Sequence, residues 1–230
     1  MDLIEAIKSR KSIRFFKTEP VLEKTIEEVL DVARWSPSGV NKQSWEFVVL
    51  TGEALAAVKA ANVAQYEGGV PKHPFMPQLP LTGPYRRRQV ETAKKLYALA
   101  GVQRDDIEGR REWFKRDLRF FDAPAAVLVC FDETAPEARA TFEAGIVTQS
   151  IVLAATAFGL GTCIMVAPVE YPDTLARVAR IPESKRIVTG IAIGYPDEGH
   201  PVNSLRTTRD PVSEITMWRN SLEKGQTPDS

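Results

Sequence analysis

Arg10, Lys11, Ser12, Ile13 and Arg14 place three cations and a hydroxyl within five consecutive residues. Arginine presents a planar fork of donors that matches phosphate oxygens, and a serine hydroxyl adds a shorter directional bond, so the cluster suits a phosphate. A solvated basic turn or a nucleic-acid contact would draw on the same residue types. A second cationic segment, with Arg206 and Arg209, lies near the other end of the chain. Between the two, Ser36 to Trp45 is rich in small residues, hydroxyls and amides, among them Ser38, Gly39, Asn41 and Gln43. Asn and Gln carry donors and acceptors together, as the edge of a flat heterocycle with ring carbonyls and N–H groups requires. An ordinary turn has the same composition.

Bulk properties narrow these options. Thirty basic residues balance thirty acidic ones over 230 residues, which argues against a general nucleic-acid or polyanion binder and makes the basic cluster a local feature. With two histidines, His73 and His200, and no paired Cys or His spacing, a metal site has no ligand set. Cys130 and Cys163 sit inside apolar runs, as reduced core residues of a cytoplasmic protein would. No apolar run approaches the roughly twenty residues that cross a bilayer, and Asp2 and Glu5 stand where a signal peptide carries cations, so no membrane partner is expected. The familiar phosphate loops and the acyl-hydrolase elbow are absent as motifs.

The elements that must position these groups alternate between helix and strand. Leu3, Ile4 and Ile7 predict a short helix before the basic cluster, and Ile26, Val29, Leu30 and Ala33 predict an amphipathic helix over 23–35, broken by Ser36-Pro37-Ser38-Gly39. Residues 46–51 read as a strand. Residues 66–122 form an excursion, proline-dense to about residue 84 and then a charge-rich exposed helix. The apolar runs 125–131 and 187–196 read as strands buried on both faces, and 138–158 as a helix buried on most of its circumference. Gly159 fits its C-cap and Gly161 leaves room for a close backbone approach. A short helix over 171–179 is expected to be closed by residues 181–184, and the polar end from Glu223 reads as frayed. The sum is a covered sheet in an α/β or α+β domain.

R-K-S-I-R-F-F followed by A-R-W-S-P-S-G-V-N-K-Q-S-W before a strand, then G-L-G-T-C and I-A-I-G-Y-P, resembles the FMN-dependent nitroreductase family. Ser44 stands where the family motif has proline, a change expected to matter little because proline supplies no side-chain bond. The resemblance implies a mixed central β-sheet flanked by helices, an obligate homodimer and an FMN at each of two interface sites. It covers about residues 1–220 as one domain, with 66–122 as a lid and 221–230 as a tail. Arg10, Lys11, Ser12 and Arg14 would hold the flavin phosphate together with Arg209 and Arg206. Ser38, Gly39, Asn41 and Gln43 would line the ring, and Val166, with Ala167 adjacent, would offer a backbone N–H to flavin N5.

The implied activity is ping-pong hydride transfer from NADH or NADPH through the flavin to a flat aromatic acceptor of nitroarene or quinone type, with no side chain acting as acid or base. The lid residues Tyr85, Arg86, Tyr97, Trp113, Lys115 and Phe120 are candidates for acceptor contact, none of them assigned. Three alternatives stay open: a reductive dehalogenase using Glu91, Tyr97 and Lys115, a branch that cleaves its own reduced flavin, and a non-catalytic flavin- or phosphoanion-binding protein.

Overall fold

A computed structural model describes residues 2–77 and 79–219, and the tail expected at 221–230 lies outside them. Four strands, β1 (Trp45–Thr51), β2 (Ala125–Asp132), β3 (Gly161–Met165) and β4 (Lys185–Gly194), form one sheet in the order β1-β2-β4-β3. Every pairing of these strands is antiparallel, with Val48 opposite Leu128 and Leu128 opposite Gly190. Among the described residues, the parallel component of the expected mixed sheet is a single bridge between Ser12 and Thr162 on the outer edge of β3.

Strand periodicity explains why β2 reads as a continuous apolar run. Successive side chains point to opposite faces. Val127, Val129 and Phe131 enter one core with Ile26 and Val29 of helix α2 (Glu23–Ala33) and Val147 and Ile151 of the long helix α6 (Glu137–Ala157). Ala126, Leu128 and Cys130 enter a second core with Leu55, Val58, Leu175 and Phe120. The remaining α-helices among the described residues are α1 (Leu3–Ser9), α3 (Gly52–Glu67), α4 (Gly83–Leu99), α5 (Ile107–Leu118), α7 (Pro172–Ala179) and the short α8 (Val212–Ile215).

The 66–122 excursion divides in two. Helix α4 buries no residue, as its charge predicts, whereas α5 buries Trp113 and Leu118. Trp113 and Phe120 belong to the second core, which removes both from the acceptor-contact candidates: aromatic surface of that size is stabilised by burial. Helix α7 is closed by Arg180 in the left-handed region (φ 53°), with Ile181 N–H donating to the Ala176 carbonyl at 2.8 Å, so the cap is Arg180 and not the 181–184 stretch.

Helix α6 ends as expected, at Gly159 with φ 75°. Leu160 N–H reaches the Ala155 carbonyl (2.9 Å) and Gly159 N–H the Thr156 carbonyl (3.1 Å), the paired bonds of a Schellman motif. The helix is buried on most of its circumference, as expected, with Phe142, Gly145 and Gln149, at i, i+3 and i+7, as an exposed stripe. Among the described residues α6 is also the one helix long and apolar enough to cross a membrane, contrary to the reading that no run approaches that length. Its buried side packs on α2 and the sheet, which accounts for the apolarity.

Candidate active site

The residues after α1 lie extended along the edge of β3. Ile13 N–H donates to the Thr162 carbonyl at 2.9 Å, and Lys17 N–H to the Tyr195 carbonyl at 2.8 Å. Gly161 permits this approach, because a Cβ there would stand 2.7 Å from Ile13 Cγ1. The expected close approach is therefore to the basic segment itself.

A cavity of about 310 Å³ opens where this segment meets residues 205–209. Lys8, Arg10, Lys11, Arg14, Arg206 and Arg209 line it, six cations and no carboxylate, together with the hydroxyls of Ser12, Thr92 and Thr207. Arg14 Nη1 donates to the Ser12 carbonyl (3.4 Å), and its guanidinium lies 5.7 Å from the centre of the Phe121 ring. Lys11 has a loose partner in Glu198 at 3.7 Å. Arg209 turns back on its own segment, donating to Thr207 Oγ1 and the Thr208 carbonyl at 2.9 Å each. Arg206 donates to the carbonyls of Lys8 and Ser9 at the end of α1, where a cation also complements the helix dipole. Thr92 comes from α4, and nothing in its local sequence marks it.

The Ser38–Gln43 residues form a separate structure. Val40, Asn41 and Gln43 all adopt left-handed backbone (φ 50°, 57° and 47°), conformations that cost about 1–3 kcal/mol each and persist only when the surroundings over-determine them. Internal bonds run from Gln43 N–H to Ser38 Oγ (3.0 Å) and from Gln43 Nε2 to the Asn41 carbonyl (3.2 Å). The external tie is Glu143 of α6, 2 % exposed. Its Oε1 accepts from Gly39 N–H (2.9 Å) and from Lys42 Nζ, and its Oε2 from Ser44 Oγ (2.7 Å). Burial alone would raise this carboxyl, but the bonds from Lys42, Ser44 and Gly39 outweigh it and hold the group at about 2. Ser44 thus supplies a side-chain bond where the family motif has proline. A lone carboxylate heading an otherwise uncharged helical run was the available signal for Glu143.

Val166 is half-buried and Ala167 buried, just past the end of β3. Thr162 lies beside Ser12, so Val166 stands four residues, about 13 Å, further along that strand. That spacing suits a ligand with a phosphate at one end and a ring several atoms away. The loop is elsewhere: Glu143 holds it thirteen residues from Thr156, which lines a cleft with Arg10, Lys11 and Arg206. At 1.5 Å per residue the two lie about 20 Å apart along α6. One chain therefore joins Arg10, Lys11, Ser12, Arg14, Arg206 and Arg209 but leaves Ser38, Gly39, Asn41 and Gln43 at the far end of the helix.

The dehalogenase set does not assemble. Lys115 is engaged by Glu67 at 2.7 Å, Tyr97 packs edge-on to Trp113, and Glu91 faces the 206–210 segment.

A cationic pocket at the edge of an antiparallel sheet, fed from both chain ends, is accompanied by a family match: the model of the nitroreductase family fits residues 7–195, and the chain belongs to that family. It is 32% identical over 218 residues to nitrobenzene nitroreductase of Ectopseudomonas oleovorans, covering 93% of this chain and 95% of that protein. It is 33% identical over 219 residues to chloronitrobenzene nitroreductase of Comamonas testosteroni, with the same coverage. Among solved structures, the FMN-dependent nitroreductase NfnB of Mycobacterium smegmatis in complex with NADPH superposes with a TM-score of 0.88 at 28% identity, over 94% of this chain and 97% of that one.

Proposed function

We propose that this chain is an NAD(P)H-dependent FMN oxidoreductase that reduces small nitroaromatic or quinone-type acceptors. The observation that carries this reading is the pocket of six cations without a carboxylate in a protein of zero formal charge. Such a cradle fits a phosphate dianion, and Arg10, Lys11, Ser12, Arg14 and Arg209 would hold it, with Arg206 bracing the helix end beneath. FMN held there would supply two-electron hydride chemistry between NADH or NADPH and the acceptor, in a ping-pong order. Val166 and Ala167 would offer the backbone N–H at the ring, and no side chain is needed as acid or base. Nitroaromatic acceptors are favoured by relatives named for nitrobenzene and chloronitrobenzene.

The ring-edge residues Ser38, Gly39, Asn41 and Gln43 come, in this reading, from a second copy. The exposed stripe of Phe142, Gly145 and Gln149 on α6, with the exposed Leu3, Ile4 and Ile7 of α1, supports a homodimer. Two copies of α6 crossing antiparallel would bring the Glu143 end of one to the Thr156 end of the other, and with it the loop to the pocket. Residues 1–220 then act as one unit, with 66–122 as the lid over the acceptor. Both cysteines are free and buried, which suits a reducing compartment.

The test is the visible spectrum of the purified protein. A yellow protein that NADH or NADPH bleaches anaerobically, and that a nitroarene or quinone recolours, is expected. A colourless protein that fails to take up added FMN would overturn the reading. A flavin that binds but accepts no hydride from either nicotinamide would overturn the catalytic part.

A further inference from the structure

We infer that Glu143 is a positioning residue: its carboxylate fixes the Ser38–Ser44 loop in the one conformation that presents Ser38 and Asn41 to the flavin edge. The inference rests on the proposed FMN reading.

Glu143 has no packing reason to be where it is. It lies on the buried side of a helix that carries no other charge from there to its end, where an apolar residue would pack without desolvation cost. Its hydrogen-bond donors are Gly39 N–H, Lys42 Nζ and Ser44 Oγ, and all three belong to the loop. Lys42, itself exposed, offsets the charge of the buried carboxylate. The loop packs closely on the carboxylate at Gly39, where a Cβ would lie 3.5 Å from Glu143 Oε1 and 3.3 Å from Lys42 Nζ.

The loop is the part of the chain that requires such a clamp. Val40, Asn41 and Gln43 stand in backbone conformations that a free loop would leave. Proline would stiffen this segment through its own ring. Ser44 cannot, and instead ties its hydroxyl to the Glu143 carboxylate. The Asn41 side chain is exposed, and no bond takes it among the described residues, which leaves its amide available to a ligand. The clamp thus grips the loop at Gly39, Lys42 and Ser44 and leaves Asn41 between them.

The variants are Glu143→Gln, Ser44→Ala and Ser44→Thr, measured as FMN-loaded enzyme and as apoprotein. The amide introduced by Glu143→Gln would have one acceptor oxygen in place of two and no charge for Lys42. Glu143→Gln is expected to lower kcat for nitroarene reduction at least tenfold, alter the visible flavin band and shift FMN affinity less than threefold, because the phosphate pocket is intact. In the apoprotein, trypsin should cut after Lys42 at least fivefold faster than in the parent. Ser44→Ala should move the same readings in the same direction, and Ser44→Thr, which keeps the hydroxyl, should restore them.

An unaltered flavin band, kcat and cleavage rate in Glu143→Gln would overturn the inference. So would a kcat loss that follows only a fall in melting temperature, since that marks a structural role. Should Glu143→Gln fail to fold, identical readings for Ser44→Ala, Ser44→Thr and the parent overturn it. If the parent itself takes up no FMN, the functional reading fails, while the trypsin comparison still decides whether Glu143 holds the loop.

Discussion

Asn203 is bonded to both backbone groups of Phe15: its Oδ1 accepts from Phe15 N–H at 3.3 Å and its Nδ2 donates to the Phe15 carbonyl at 2.7 Å. The same side chain accepts from Arg14 N–H (2.9 Å) and donates to the Asp197 carbonyl (2.9 Å), and it is 1 % exposed. One amide thus replaces a strand partner for the segment that carries the basic cluster, fastening it to the chain's other cationic end.

Asn203→Ala should therefore cost stability as well as ligand. Leaving buried backbone groups unpaired costs about 1–3 kcal/mol each, so a loss of about 2–4 kcal/mol is expected after partial rescue by water. Thermal melts should show a fall of roughly 5–15 °C, and flavin should be retained less well because Arg14 is no longer anchored. An unchanged melt would show that this amide does not hold the two chain ends together.

Arg10→Ala and Arg209→Ala should each weaken FMN binding. A charge-assisted bond contributes roughly 1.5–3 kcal/mol, which is about 10- to 100-fold in Kd. Fluorescence titration of the apoprotein measures it, and the parent's affinity should fall as salt rises. Unchanged Kd in both variants would refute the phosphate assignment.

Gly161→Ala tests the sheet edge. The added methyl would collide with Ile13, and overpacking of this kind costs about 1–3 kcal/mol. Because Ile13 sits between Ser12 and Arg14, the expected signature is a lowered melt together with weaker FMN retention. A lowered melt with full FMN affinity would mean that the cluster tolerates displacement from β3.

Asp117 makes stability depend on pH. Burial pushes its carboxyl up from the ordinary 3.8 to about 6, against the pull of Arg14. A raised value means that the folded chain binds more protons than the unfolded one between these limits, so this contribution is full at low pH and is lost as pH rises through about 6. Asp117→Asn, permanently neutral, should be more stable than the parent by on the order of 1–3 kcal/mol at pH 8 and lose that advantage below about pH 4. Melts across this range check the sign; a variant less stable at pH 8 would contradict it.

Much of this architecture is legible in the sequence. The apolar runs at 125–131 and 187–196 read as strands covered on both faces, Gly159 as the end of a helix, and the cations at 10–14 and 206–209 as two segments that meet, as they do in one pocket. Each is a local signal, carried by residue type and short spacing. The contacts that complete the site are not local. Asn203 meets Arg14 across 189 residues and Glu143 meets Gly39 across 104, and a single polar residue carries no mark of so distant a partner.

The long helix shows the same limit. Its sequence is apolar on nearly every side, so composition determined that it is buried but not by what. The tertiary structure covers one side with the sheet and α2 and leaves Phe142, Gly145 and Gln149 exposed. The sequence by itself determined the two strands, the helix cap and the two cationic segments that line one pocket. Only the tertiary structure decided that the cradle and the amide loop lie at opposite ends of one helix, because that separation is set by how α6 packs, and packing depends on every element at once.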